Sequence, residues 1–329
     1  ALVSQSKLLV FDEPTSSVTQ HDAKHLFEVI RKLKTSGIGV IYISHFLEGI
    51  REVGDRFVVL RDGESVGSGQ LSETSETEIV SLMVGRTVDE LLPKVPHQPG
   101  DVLLTMDRLS GQKLPTDVSL EVRRGEILGL SGLVGAGRTE LLRCLYALDP
   151  VKRGQVRIAD ALPRRSPRAR INAGLGFVSE DRKGEGLAQS RSLADNLNYS
   201  RLKPYSSAGW LNLRKRQAAV AHWLERLQVK YRSPDQPVQD LSGGNQQKIA
   251  LARVMHQEAD VLLLDEPTRG IDVGTKSEIY RLMGELAAQG KAIVFVSSYL
   301  TELLAICDRV AVLSPGRGRA VRPASQWSE

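Results

Sequence analysis

The chain has 329 residues, enough for about two domains that each bury a core. Hydrophobic residues make up 41% and charged residues 25%, a globular balance, and no apolar run nears the roughly 18 residues that span a bilayer. The net charge of +5 permits an anionic partner without requiring one, while two distant cysteines, Cys144 and Cys307, argue against a disulfide frame or zinc site and for a reducing compartment.

No basic stretch leads into an apolar one at the start, so no signal peptide is expected. The first predicted strand is LLVF (8–11), followed at once by Asp12 and Glu13. A helix is predicted over HDAKHLFEVIRKLKTSG (21–37), where Leu26, Val29, Ile30 and Leu33 recur at helical spacing and Gly37 supplies the stop. GVIYIS (39–44) is the next strand, and His45 stands at its end. His21 and His25 have the i, i+4 spacing of a metal pair, but without a nearby third ligand no metal site is read there. GRTVDELLPKVPHQPGD (85–101) carries three prolines and reads as a linker. Strand–helix–strand units of this kind predict an α/β fold, with a mainly parallel sheet and helices on both faces.

Beyond the linker, the strand EILGL (126–130) runs into Gly132, Gly135, Ala136, Gly137, Arg138 and Thr139 and then the helix TELLRCLYAL (139–148). This is the G-x-x-x-x-G-K-[ST] pattern of a phosphate loop, with arginine in place of lysine. Its glycines let backbone N–H groups approach phosphates, the helix N-terminus favours their charge, and Thr139 is placed to ligate Mg²⁺. A dinucleotide-binding G-x-G-x-x-G fails because Glu140 occupies the last glycine position. The basic runs PRRSPRAR (163–170) and NLRKRQ (212–217) have few aromatics beside them, so they read as solvated faces and no nucleic acid is expected. In RQAAVAHWLERLQV (216–229), Val220, Leu224 and Leu227 share one helix face and are expected in a core. In LSGGNQQK (241–248), Ser242 can cap a helix whose Gly243 and Gly244 expose unpaired N–H groups, a second anion site suited to a γ-phosphate presented by another surface. The strand VLLL (261–264) ends in Asp265 and Glu266, an aspartate to hold Mg²⁺ and a glutamate to orient or deprotonate water, as Asp12 and Glu13 do earlier.

The chain also repeats itself. FDEPTSSVTQHD (11–22) returns as LDEPTRGIDVGT (264–275), 253 positions on, and the same offset maps YISHFLE (42–48) onto FVSSYLT (295–301) and DRFVVLRDG (55–63) onto DRVAVLSPG (308–316). Two copies of one domain type are therefore expected, in residues 1–84 and 101–329, joined by the linker 85–100. In the second copy Gly132 precedes Asp265 by 133 positions. By that spacing the first copy's phosphate loop would lie about 120 residues before Ala1, so an N-terminally truncated tandem is expected.

Together, LSGGNQQK and the two DEPT strands resemble the nucleotide-binding subunit of an ATP-binding cassette (ABC) transporter. More finely, GEILGLSGLVGAGRTEL (125–141), SEDRKGEGL (179–187), LSGGNQQK and DEPTRGIDVG (265–274) resemble the second cassette of the tandem ATP-binding proteins of monosaccharide importers, the ribose, galactose and xylose class. DEPTSS, ISHFLE and DRFVVLRDG resemble the end of the first cassette, and the likeness covers nearly the whole chain. It implies a P-loop NTPase fold with a helical subdomain from about Ser192 to Pro237, ATP and Mg²⁺ as cofactors, and ATP-driven import of a monosaccharide or similar polyol. Implied partners are transmembrane permease subunits and, through them, a periplasmic or extracellular sugar-binding protein, with this chain itself peripheral at the cytoplasmic face of the membrane.

In that family two cassettes share two sites. The resemblance places Asp12, Glu13 and His45 with Ser242, Gly243 and Gly244 in site one, Glu13 and His45 being catalytic. Site two takes Gly132, Gly135, Ala136, Gly137, Arg138, Thr139, Glu180 and Asp265. Three departures fall on site two: Arg138 replaces lysine, Glu180 stands where most cassettes have glutamine, and Ser298 occupies the position of His45. Site two is therefore expected to bind nucleotide and hydrolyse it poorly. Asn245, fifth in the signature, departs from the commonest ABC form but fits the sugar class, and no aromatic between Asp101 and Ile127 offers to stack the adenine. The alternatives are a tandem ABC ATPase acting on ribosomes or DNA, and a truncated remnant with little or no hydrolysis of its own.

Overall fold

The computed structural model describes residues 6–14, 20–44, 47–61, 63–85, 92–159 and 161–327. The chain divides into a smaller unit, Ala1–Leu91 with Asp272–Ser277, and a larger one, Leu92–Ile271 with Glu278–Glu329. The division falls inside the proline-bearing segment 85–100. His97 hydrogen-bonds Asp308 through Nε2 at 3.2 Å, and Val95 lies so close to Gly284 that an added Cβ there would meet it at 2.7 Å, so residues 92–100 are packed on the larger unit.

The smaller unit runs β1 (Leu8–Asp12), α1 (Gln20–Thr35), β2 (Gly39–Ile43), α2 (Leu47–Val53), β3 (Arg56–Arg61), β4 (Glu64–Gln70) and α3 (Glu76–Val84). Helix α1 ends where Gly37 adopts φ +78°, and Ile30 is buried beneath it, whereas Val29 stays exposed. A capping box between Ser75 and Glu78 starts α3. Strands β1 and β2 pair in parallel, β3 and β4 form an antiparallel hairpin, and Leu47, Phe57, Val59, Leu71 and Ile79 make a small core.

The larger unit continues with β5 (Val102–Gly111), β6 (Val118–Arg123), β7 (Ile127–Ser131), α4 (Arg138–Tyr146), β8 (Val151–Ile158), α5 (Pro167–Asn172), β9 (Leu175–Val178) and α6 (Leu193–Asn198). A short hairpin, β10 (Ser206–Ser207) and β11 (Trp210–Leu211), precedes α7 (Leu213–Arg226), α8 (Gly243–His256), β12 (Val261–Asp265), α9 (Val273–Ala288, of which the part to Ser277 is counted with the smaller unit), β13 (Ala292–Val296), α10 (Leu300–Ile306), β14 (Arg309–Ser314) and β15 (Arg317–Pro323). Its main sheet is mixed, in the order β15-β14-β7-β13-β12-β9, parallel throughout except for β15 at the edge.

Alternate residues of this sheet feed two cores. Leu262, Leu264, Ile293 and Phe295 face one side with Leu197, Val220, Leu224, Leu227 and Ile249 of the helical layer. Leu128, Leu130, Val261, Leu263, Val294 and Val296 face the other with Leu141, Leu142 and Leu145 of α4. A sheet buried on both faces explains why its strands read as unbroken apolar runs. The second face departs from the expectation of helices alone. Beside α4 it is covered by a separate antiparallel sheet, β6-β5-β8. Strand β6 alternates buried Val118, Leu120 and Val122 with exposed Ser119, Glu121 and Arg123, the period-two pattern of a strand with one face in a core.

The 253-residue repeat extends to backbone register. Leu8 pairs with Gly39 and Asp12 with Ile43, as Val261 pairs with Ala292 and Asp265 with Val296. The hairpins match as well: Arg56 opposes Gln70 with a register shift at Val59/Leu60, and Arg309 opposes Pro323 with one at Val312/Leu313. Burial does not repeat. Leu8, Val10, Ile41, Ile43, Val58 and Leu60 are exposed, whereas their counterparts Val261, Leu263, Val294, Val296, Ala311 and Leu313 all lie in the core beneath α4 and the antiparallel sheet.

Candidate functional site

Residues 132–137 connect β7 to α4 and form the phosphate loop. Gly132 sits where a Cβ would meet the Leu313 carbonyl at 2.7 Å, and Gly137 adopts φ +94° at the start of α4, so glycine is required at both. The Ala136 N–H donates to the Leu133 carbonyl, and the Ala136 carbonyl accepts from Gly316, which pins the base of the loop. Its tip is open: Gly135 has clear space around it, and Val134 is 96% exposed.

Asp265 ends β12 directly beside this loop. It is fully buried, and neither carboxylate oxygen has a hydrogen bond of good geometry. Burial pushes its carboxyl up to about 6, with Glu266 and Glu140 adding to the rise and the Thr139 hydroxyl and Arg138 opposing it. A buried anion without full compensation is costly, and a divalent cation relieves that cost. The hydroxyl of Thr139 and the carboxylate of Asp265 are hard oxygen donors suited to Mg²⁺, which prefers few protein ligands and keeps its waters. These two residues fit the ion.

Glu266 follows with φ +45°, and Glu13 has φ +46°. The left-handed region costs a non-glycine residue about 1–2 kcal/mol. In both units the strained N–H is anchored to the end of the neighbouring strand, Glu13 to the Ile43 carbonyl at 2.9 Å and Glu266 to the Val296 carbonyl at 3.1 Å. Beyond that the two units differ. Asp12 is exposed where Asp265 is buried, and His45 lies outside the described residues.

The phosphate-loop arginine is engaged within the protein. Arg138 Nη1 donates to the Ser297 carbonyl at 3.0 Å and lies 3.6 Å from Glu266 Oε1, while Nη2 donates to Ser298 Oγ at 3.4 Å. Ser298 Oγ in turn donates to Glu266 Oε1 at 2.5 Å. Two of the departures noted in the sequence, Arg138 and Ser298, therefore converge on one carboxylate. Burial raises the Glu266 carboxyl, and the hydrogen bonds from Ser298 and the charge of Arg138 lower it. The network continues inward, because buried Glu302 accepts from Ser297 Oγ at 2.8 Å and Thr268 Oγ1 at 3.0 Å.

Glu180 forms an ion pair with Arg269, a partner the sequence reading left without a role. Arg182, in the same SEDRKGEGL run, donates from Nη1 to the Gly243 carbonyl at 2.9 Å and so ties that segment to the start of α8. There Ser242 is the N-cap. Its hydroxyl accepts from Asn245 Nδ2 at 2.9 Å, and Asn245 Oδ1 accepts the Lys230 N–H at 2.8 Å. Asn245 thus braces the signature turn against the end of the helical layer. Among the described residues, no hydrogen bond joins Ser242, Gly243 or Gly244 to residues 132–139. Phosphate loop and signature are separate stations of the larger unit.

A profile of the ABC transporter family matches residues 115–269. The ribose import ATP-binding protein RbsA 1 of Streptomyces avermitilis is 43% identical over 318 residues, covering 96% of this chain and 61% of that protein. RbsA 3 of Rubrobacter xylanophilus is 43% identical over 330 residues, covering 100% of this chain and 66% of that protein. The chain thus spans just under two thirds of the length of these relatives. A solved post-hydrolysis dimer of an ATP-binding cassette with ADP and Pi superposes with a TM-score of 0.59 at 20% identity, over 68% of this chain and 100% of that one, which bears on the fold alone.

Proposed function

This chain belongs to the ABC-type ATPases, and we propose on that premise that it is an ATP-binding, ATP-hydrolysing component of an importer for ribose or a similar monosaccharide. The observation that carries the reading is the phosphate loop set against buried, unpaired Asp265, in a chain 43% identical to ribose import ATP-binding proteins. Gly132, Gly135, Ala136 and Gly137 would cradle the phosphates with backbone N–H groups, and Thr139 and Asp265 would hold Mg²⁺, which neutralises phosphate charge when bound. Ser242, Gly243 and Gly244 would meet the γ-phosphate of a nucleotide held by another cassette. Recognition of the sugar would lie with permease subunits in the membrane and a periplasmic or extracellular binding protein, and this chain would dock on the permease from the cytoplasmic side. No helix among the described residues is long and apolar enough to cross one.

The finer proposal is a tandem of two cassettes, 1–84 and 101–329, with unequal catalytic sets. Matching registers at a 253-residue offset support the tandem. The first copy keeps Asp12, Glu13 and His45, whereas in the second Glu266 is bound to Ser298 and Arg138, and Glu180 to Arg269. The second copy's nucleotide would favour closure without turning over.

Titration with a fluorescent ATP analogue tests the basic reading: saturable, Mg²⁺-dependent binding is expected. No binding at millimolar nucleotide would refute it. Where both cassettes are complete, Glu13→Gln should abolish ATP hydrolysis and Glu266→Gln should leave most of it. Equal losses would end the asymmetry. Capture of a membrane permease rather than ribosomes separates import from a ribosomal role.

A further inference from the structure

Arg138 occupies the position from which a phosphate-loop cation would face the nucleotide, yet its guanidinium is spent on the Ser297 carbonyl, the Ser298 hydroxyl and the Glu266 carboxylate. Both ends of the ion pair are largely withdrawn from water, at 12% and 5% side-chain exposure, so it is weakly screened. Its surroundings are acidic, with Asp265, Glu140 and Glu302 acting electrostatically on the same strand ends. A polyphosphate entering the loop competes with Glu266 for this guanidinium. A planar fork presents five fixed donors, so it holds a carboxylate, a carbonyl and a hydroxyl from more than one nitrogen, whereas a compact ammonium offers three donors from a single point.

We propose that Arg138 is a nucleotide-displaced restraint: in the empty cassette it holds Glu266 and the 297–298 turn, and arriving phosphates draw it away, so breaking this contact is part of every binding event. Arg138 is then a positioning residue for Glu266 and a phosphate ligand in turn. Strands β12 and β13 and the phosphate loop, which meet at this contact, report nucleotide occupancy through it. The inference rests on the proposed nucleotide binding and deepens it.

The test is a double-mutant cycle read as affinity for mant-labelled, non-hydrolysable AMP-PNP with Mg²⁺, on the 329-residue chain. Glu266→Gln removes the competing carboxylate and should tighten binding about tenfold when Arg138 is present. In an Arg138→Met background the same change should have less than a twofold effect. An equal gain in both backgrounds would mean that Glu266 merely repels phosphate, and the restraint would be overturned. If methionine prevents folding, Arg138→Gln, neutral and hydrogen-bonding, replaces it in the same cycle. A purely structural pair would couple in urea midpoints and leave the affinity cycle additive, which also overturns the proposal. Failure of the unmodified chain to bind the probe would instead bring down the proposed function, and this inference with it.

Discussion

Asp265→Asn should make the nucleotide-free protein more stable. The carboxyl of Asp265 is raised from 3.8 to about 6 by burial. A shift of that size penalises the folded state by about 3 kcal/mol above pH 6, because the unfolded chain ionises the group more easily. Asparagine removes the charge but leaves a buried amide short of partners, which returns about 1–2 kcal/mol of cost. The net gain is then about 1–2 kcal/mol. For a unit of this size, with m of about 3 kcal/mol per M, the urea midpoint should rise by about 0.3–0.7 M. Trp210, Trp223 and Trp327 all lie in the larger unit, so tryptophan fluorescence in EDTA follows that unit. The pH dependence has a fixed sign. A folded-state carboxyl above its unfolded value binds protons first as pH falls, so the wild-type penalty shrinks from pH 6 downward and vanishes below about 3.8. At pH 5 about half remains, and the advantage of Asp265→Asn should nearly disappear. A destabilised Asp265→Asn protein at pH 7.5, or an advantage that stays constant down to pH 5, would refute the unpaired buried carboxylate.

Two further outcomes follow from the geometry. Leu60 and Leu313 occupy one position of the repeat, at 72% and 1% exposure, so Leu313→Ala should cost about 2–5 kcal/mol and Leu60→Ala less than about 0.5 kcal/mol, measured by urea unfolding monitored by circular dichroism. Similar costs for the two would show that the exposed face of the smaller unit is covered in solution. Ser242→Ala should lower the stability of the larger unit by about 1 kcal/mol and Ser242→Gly by only a few tenths, because the cap oxygen is lost in both but glycine opens the helix end to water. Equal losses in the two tryptophan-monitored transitions would contradict the capping role.

Much of this protein was legible in its sequence because the signals were local. The glycines at 132 and 137 are required by close backbone approach and a left-handed φ, and a loop of that composition declares itself. The apolar runs at 261–264 and 292–296 read as buried strands, and the fixed offset between the copies survives as register, since pairing a strand out of step would turn every side chain to the wrong face. Val220, Leu224 and Leu227 were placed in a core by helical spacing alone, and all three are buried. Other features depended on residues far apart in the chain. Arg138 reads as an altered phosphate ligand, and only the packing of β12 and β13 beside the loop brings Ser297, Ser298 and Glu266, more than a hundred residues later, to its guanidinium. The antiparallel sheet hid in ordinary alternation, and nothing near Leu60 or Leu313 distinguishes the exposed leucine from the buried one. The sequence set the strands and the loop, because backbone preference and period act over a few residues. Which faces were covered, and which charge answered which, was left to the tertiary structure, because burial and Coulomb forces depend on whatever distant segment comes to lie alongside.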